Sequence, residues 1–221
     1  PANSSRGGIP IIVPQFRDHW PFGRHGFARK SPWEFEPETK GVQLRASPET
    51  LADWPHECLL SFSFSLSPAA LDINLTVENP SSDSFSFQAA LHTYLAVEDA
   101  TTCSITGLES LNYQNEVTRK TERGENAPLV FGKEIDRAYF GAAKHPVMVT
   151  SETSDSVEVQ SIGSSDFVVW NPGPKHGIGD LPEDGWKHFL CVESAQIESP
   201  IQLAGGETWS GSQTLRVFSE P

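Results

Sequence analysis

Cysteine is scarce in this chain: Cys58, Cys103 and Cys191 are the three among 221 residues. An odd number with no C-x-x-C spacing provides neither a disulfide framework nor a zinc motif, and it fits a reducing compartment, so a cytoplasmic location is expected. Long apolar runs are missing too. Nothing approaches the roughly 20 residues of a membrane span, and the start, Pro1 to Arg6, lacks the apolar stretch of a signal peptide. Without a secretion signal the glycosylation sequons at Asn3 and Asn74 carry little weight. Basic residues are few, 16 against 29 acidic, and the net charge of −13 argues against nucleic-acid binding. No phosphate-binding P-loop, nucleophile elbow or zinc signature occurs, so a metal is not implied. Internal repeats are absent, and no apolar series recurs at helical spacing over three turns.

Two-residue alternation takes the place of helical spacing. Phe62, Phe64 and Leu66 alternate with serines, and Leu71, Ile73, Leu75 and Val77 alternate with polar residues. Val157 and Val159 repeat the pattern, as do Leu215 and Val217 between Thr214, Arg216 and Phe218. Turn signals separate these runs: Ser67-Pro68, Asn79-Pro80-Ser81, Gly163-Ser164-Ser165 and Gly205-Gly206. Many short strands with such punctuation predict an all-β sandwich or barrel, here as one domain over residues 1–221. Two stretches resist the strand reading. Residues 10–37 combine proline, glycine, aromatics and arginine and predict a long ordered loop. Residues 171–186, with three prolines and four glycines, predict a second.

Candidate chemistry sits at a few positions. In the run from Phe85 to Leu95, the apolar residues Phe85, Phe87, Ala89, Leu91 and Leu95 occupy odd positions. Ser86, Gln88, His92 and Tyr94 occupy even ones. Strand parity therefore places His92 opposite the apolar face, as a proton-transfer group or as a plain surface histidine. Glu193 closes the apolar run Phe189-Leu190-Cys191-Val192. It predicts either a carboxylate at a strand edge in water or a desolvated general base. Asp136 could accept a sugar hydroxyl or pair with Arg137. His25 precedes Gly26, whose small size admits close approach of backbone to a ligand. Residues 1–30 concentrate Arg6, Arg17, Arg24, Arg29 and Lys30 against the single acid Asp18. In an acidic protein this pattern reads either as an anion site or as chance clustering on a solvated loop.

These residues carry a resemblance. Arg6-Gly7-Gly8-Ile9-Pro10, His25-Gly26-Phe27-Ala28-Arg29, His92-Thr93-Tyr94-Leu95, Glu134-Ile135-Asp136-Arg137-Ala138-Tyr139, Val169-Trp170-Asn171-Pro172 and Cys191-Val192-Glu193 follow in this order. Together, over Arg6 to about Phe218, the chain resembles the glucose-6-phosphate 1-epimerase (hexose-6-phosphate mutarotase) branch of the aldose 1-epimerase family. The resemblance implies a galactose-mutarotase-like β-supersandwich, here expected to lack its first strands or to be a short form. It implies His92 as general acid, Glu193 as general base, and Arg6 and Arg29 as substrate-contacting arginines. Asp136 matches a substrate-binding aspartate. Arg24, just before His25, takes a further substrate-contact position where glutamine is common, and His25 beside it is also expected to contact substrate. Gly173 replaces a more usual aromatic, which predicts a looser loop.

The implied reaction is exchange of α and β anomers of a hexose 6-phosphate without a cofactor, by a monomer. Protonated His92 would serve the ring oxygen and ionised Glu193 the anomeric hydroxyl, with the acidic background keeping His92 charged. A mutarotase of unphosphorylated aldoses and a non-catalytic carbohydrate-binding module are the competing readings. Residues 1–8 are expected to be tied to another strand or poorly ordered without ligand.

Overall fold

Alternating apolar side chains favour strands that bury one face, and the chain folds into two antiparallel sheets packed face to face. The structure is a computed structural model that describes residues 6–37, 41–47, 49–51, 53–152 and 155–219. Residues 1–5, and with them Asn3, lie outside the described residues.

The first sheet runs from edge to edge as Ile11–Ile12, Phe85–Leu91, Phe189–Leu203, Asp166–Asn171, Ile135–Tyr139, Asn112–Asn115 and Lys120–Arg123. The short strand Tyr94–Ala96 also pairs with Phe189–Leu203. The second sheet runs Leu129–Val130, Cys103–Thr106, Val147–Ser151, Ser156–Ile162, Thr208–Phe218, Ala70–Glu78, Cys58–Leu66, Gly41–Ala46 and Glu34–Glu36. The strands read from alternation all form. Ser67 makes the turn between two of them, its N–H donating to the Ala70 carbonyl at 2.8 Å.

Phe85, Phe87, Ala89 and Leu91 point between the sheets and join Leu60, Ile73, Leu75 and Val77 in one core cluster. A second cluster, with Ile135, Phe167, Val169, Leu190 and Val192, continues the core toward the other end. Alternation overstates burial at two strand ends. Phe64 and Leu66 continue the apolar stripe but stand exposed at the end of their strand, and Val217 stands exposed near the end of Thr208–Phe218.

The opposite face of the first sheet is also covered. Ala90, Ala138, Val168, Ala195 and Ile197 on that face pack against Ile12 and Phe16 of the first segment. That segment is held from both sides. The His92 N–H donates to the Pro10 carbonyl and the Tyr94 N–H to the Gly8 carbonyl, each at 3.0 Å. Gly8 is therefore tied to the strand Tyr94–Ala96, one of the two expected outcomes for residues 1–8, of which 1–5 lie outside the described residues. Within the long loop, the fully buried Gln15 uses its whole side-chain amide. It donates to the carbonyls of Arg17 and Gly23 and accepts from the N–H groups of Trp20 and Phe22. A buried amide with every group paired holds a loop in one shape. The segment also contains a bridge strand, a 3-10 turn at Ala28–Lys30 and the strand Glu34–Glu36, so it is less irregular than expected.

Candidate active site

The covered face of the first sheet holds a cavity of about 240 Å³. Its walls include Arg6, Arg24, His25, Arg29, His92, Asp136 and Glu193, the seven candidates read from sequence. Tyr94, Trp170 and Arg17 also line it, with Phe16 and Val168. The first two stood inside quoted motifs and the third inside the arginine cluster, but none had been assigned a role. A larger hollow of about 350 Å³ over residues 108–139 contains no histidine to face its carboxylates.

Parity explains the convergence. Glu193 shares its face with Ala195 and Ile197, while Val192 and Leu190 point into the core. Glu193 does not end its strand, as the sequence suggested: the strand Phe189–Leu203 runs on for ten residues beyond it, and the register sets it opposite Val168. It is 1% exposed. His92 follows directly after the strand Phe85–Leu91, as parity predicts, but it is 9% exposed rather than a surface residue. Its Nε2 lies 3.4 Å from Glu193 Oε1. The His92 ring stacks on Tyr94, with centroids 5.0 Å apart and planes at 12°, and meets Trp170 and His25 edge-on. The imidazole is thereby clamped by three rings.

Burial overturns the expected protonation. The His92 imidazole is pushed down to about 4, first by loss of water and then by the charges of Arg29 and Arg6. The acidic background therefore does not keep it charged. Glu193 is pushed well above the ordinary carboxyl range, first by burial and then by Asp136, against the opposing pull of Arg17 and Arg29. Both directions favour the neutral forms of the two side chains. Glu193 Oε2 and His92 Nδ1 are buried without a hydrogen-bond partner among the described residues.

The arginines differ in their partners. Arg6 Nε donates to Asp180 Oδ1 at 2.7 Å, and Arg24 Nη1 to Asp18 Oδ2 at 2.9 Å, both exposed. Arg17 forms ion pairs with Asp136 and Glu116. Asp136 thus pairs with Arg17 and not with its neighbour Arg137, whose guanidinium lies over the Tyr113 ring. Arg29 has no carboxylate partner among the described residues. Its Nη2 donates to the Arg24 carbonyl at 3.0 Å, while its Nε is buried and unpaired. A half-buried guanidinium in that state suits an anion.

Two glycines act otherwise than expected. Gly26 has φ of +67°, and a Cβ there would collide with the Val13 carbonyl. The close approach it permits is to the chain's own backbone, where the Val13 carbonyl accepts from the N–H groups of Phe27 and Ala28. Gly173 tightens its loop instead of loosening it. Its φ is also +67°, a Cβ would collide with Glu134, and its N–H donates to the buried Asn171 side chain at 3.0 Å. The Asn171 amide in turn donates to the carbonyls of Trp186 and Phe189, closing the loop that was predicted over residues 171–186.

A two-sheet β fold with a facing histidine and glutamate on one covered sheet face defines a class, and comparison with known proteins agrees. Residues 1–216 match the aldose 1-epimerase family model, and the chain belongs to that family, isomerases of the mutarotase type. A protein of Cenchrus ciliaris named "Putative glucose-6-phosphate 1-epimerase" is 34% identical, over 97% of this chain and 71% of its own. An Escherichia coli protein of the same name is 29% identical, over 96% and 74%. A Salmonella typhimurium crystal structure, described as a "putative mutarotase", superposes with a TM-score of 0.84 at 27% identity, covering all of this chain and 78% of that one.

Proposed function

We propose that the protein interconverts the α and β anomers of a hexose 6-phosphate, with glucose 6-phosphate first in line, using His92 and Glu193 as the proton-transfer pair. The observation that carries this reading is the 3.4 Å contact between them at the base of a cavity that also holds the unpaired Arg29. The ring oxygen and the anomeric hydroxyl of a pyranose share one carbon, so their partners need only be neighbours. In opening, the imidazolium of His92 gives its proton to the ring oxygen, which takes the C1–O5 electron pair. Glu193 accepts the hydroxyl proton as the C1 carbonyl forms. Rotation about C1–C2 and reversal of both transfers closes the other anomer. Each proton-transfer group typically contributes about 10²–10⁴-fold. No electrons are transferred, so the chemistry calls for no cofactor.

The resting proton position bears on this scheme. Ring opening leaves neutral His92 and protonated Glu193, the state that burial already favours. Opening starts from the imidazolium and the carboxylate, so a proton first has to pass from Glu193 to His92 across their 3.4 Å contact. Arg29, with Arg6 and Arg24 on the same wall, would hold the phosphate, and the names of the plant and bacterial relatives support that substrate. Asp136 would take a ring hydroxyl. The three cysteines are unpaired and buried, in keeping with a cytoplasmic setting.

A second reading, exchange of unphosphorylated aldoses, draws on the pairing of Arg6 and Arg24 with acids of this chain. NMR exchange spectroscopy of glucose 6-phosphate and of glucose separates the two. Faster exchange of the phosphate ester is expected. Equal or greater acceleration of glucose favours the second reading, and no acceleration of either sugar overturns both.

A further inference from the structure

Arg17 lies inside the cavity in a conformation that L side chains seldom adopt, with φ of 55°. Its backbone is fixed on both sides. The carbonyl accepts from the His25 N–H at 2.8 Å and from the Gln15 amide at 2.9 Å. Residues held in such a conformation tend to mark functional sites, because the surrounding structure must enforce them. The side chain reaches Asp136 through Nη2 and Glu116 through Nη1. Glu116 is anchored further by Arg119 Nη1 at 2.6 Å, and its N–H donates to the Asp136 carbonyl at 2.8 Å. All three interacting side chains are largely shielded from water, at 15%, 16% and 20% exposure for Arg17, Glu116 and Asp136.

Two features leave this cluster open toward a ligand. Arg17 takes Asp136 Oδ1, while Oδ2 has no hydrogen-bond partner among the described residues, and Asp136 lines the cavity. Only two of the five N–H donors of the guanidinium meet a carboxylate. Asp136 also lies two strands from Glu193, across the strand Asp166–Asn171 that carries Val168 and Trp170. Asp136 is opposite Trp170 and Glu193 opposite Val168, so two strand spacings and a two-residue offset make about 12 Å between the two backbones. The two side chains and a ring with C1 over Glu193 and its far hydroxyls toward Asp136 can span that gap.

We propose that Arg17 is a substrate-orienting residue. Clamped by Glu116, it aims Asp136 Oδ2 at one ring hydroxyl and donates from its own guanidinium to the adjacent one. The Arg17–Asp136 pair thereby reads a vicinal pair of hydroxyls remote from C1 and sets which hexose is accepted. The claim rests on the mutarotase reading above.

The test is a cycle of protein and substrate changes, using glucose 6-phosphate and its 2-, 3- and 4-deoxy analogues with wild type, Arg17→Gln and Arg17→Lys. In wild type, at least one analogue should lose about tenfold or more in kcat/KM, because a built polar contact is left unpaired. In Arg17→Gln the parent sugar should fall by a similar factor, with the change carried mainly in KM. The penalty for that same missing hydroxyl should shrink to less than about threefold. Arg17→Lys keeps the charge but not the planar fork and should behave like Arg17→Gln; it also serves if the glutamine variant fails to fold. An undiminished deoxy penalty in both variants, or wild-type kcat/KM for the parent sugar, overturns the proposal. Should wild type exchange glucose but not glucose 6-phosphate, the phosphate reading fails on its own. The same cycle on glucose and its deoxy analogues then decides the role of Arg17 by the same criterion.

Discussion

Arg6 Nε meets Asp180 Oδ1 at 2.7 Å, joining residues 174 positions apart in sequence and fastening the loop of residues 172–184 to the rim of the cavity. A phosphate arriving at Arg6 has to compete with that carboxylate. The pair is substantially exposed, so the competition is mild. Asp180→Asn should therefore tighten a hexose 6-phosphate by about two- to fivefold and leave glucose unchanged. Isothermal titration would reveal it; equal shifts for both sugars would separate Arg6 from phosphate binding.

Removing either member of the proton-transfer pair should nearly stop exchange. His92→Ala and Glu193→Gln are each expected to slow anomer exchange of glucose 6-phosphate by about two to four orders of magnitude. NMR exchange rates measure this directly, and retention of the wild-type rate in both variants would remove the pair from the mechanism.

Arg29→Ala should discriminate between sugars. Losing a charge-assisted contact costs about 1.5–3 kcal/mol, and the loss should fall on glucose 6-phosphate and spare glucose. Comparable weakening of the two would mean that the unpaired Nε does not face the phosphate.

Acid should destabilise the fold through His25. Its imidazole is pushed down to about 2, first by burial and then by Arg29. Unfolded, it binds a proton below about pH 6.5. Between that pH and about 4.5 the unfolded chain takes up this proton and the folded chain does not, so stability falls as pH falls, by up to about 1.4 kcal/mol per pH unit. His92 adds a slope of the same sign. Glu193, whose carboxyl is pushed up by burial, adds one of opposite sign. His25→Asn, a residue that tolerates the local φ of 64°, should flatten the dependence. Urea unfolding from pH 4.5 to 6.5 reads it, and identical slopes in wild type and variant would count against the buried neutral imidazole.

Gly173→Ala should destabilise the protein by about 1–3 kcal/mol, since it combines a left-handed backbone with a collision at Glu134. A thermal melt indistinguishable from wild type would show that the loop yields at no cost.

Much of the fold was legible because alternation is a local signal. The parity of Phe85, Phe87, Ala89 and Leu91, which face the core, puts His92 on the opposite face. The same logic stopped short at Glu193, because the apolar run ends there while the strand continues through Ser194 to Leu203. The clustering of arginines was visible, and their bonding was not. The contacts of Arg17 with Asp136 and of Arg6 with Asp180 span 119 and 174 residues, and nothing local announces them. Protonation was misjudged for a related reason. Net charge is a property of composition, whereas His92 responds to the loop and the arginines folded over it. Gly173 looked like slack because its role depends on a strand nearly forty residues earlier.

The strand that carries Glu193 leaves its ladder once. Gln196 pairs with Ala89 and Ile201 with Phe87, so residues 197–200 stand against Gln88 alone. The fully buried Asp166 carboxylate holds the start of this excursion, accepting from the N–H groups of Ile197 and Glu198 at 2.9 and 3.0 Å. Length changes in this strand therefore have one tolerant site. A residue inserted after Ser199 enlarges a feature already out of register and leaves Glu193 opposite Val168, so exchange activity should survive. One inserted at Ala195 would turn the later side chains through the sheet, apolar for polar. The excursion works as an expansion joint, and the reacting end of the strand is insulated from drift at the other.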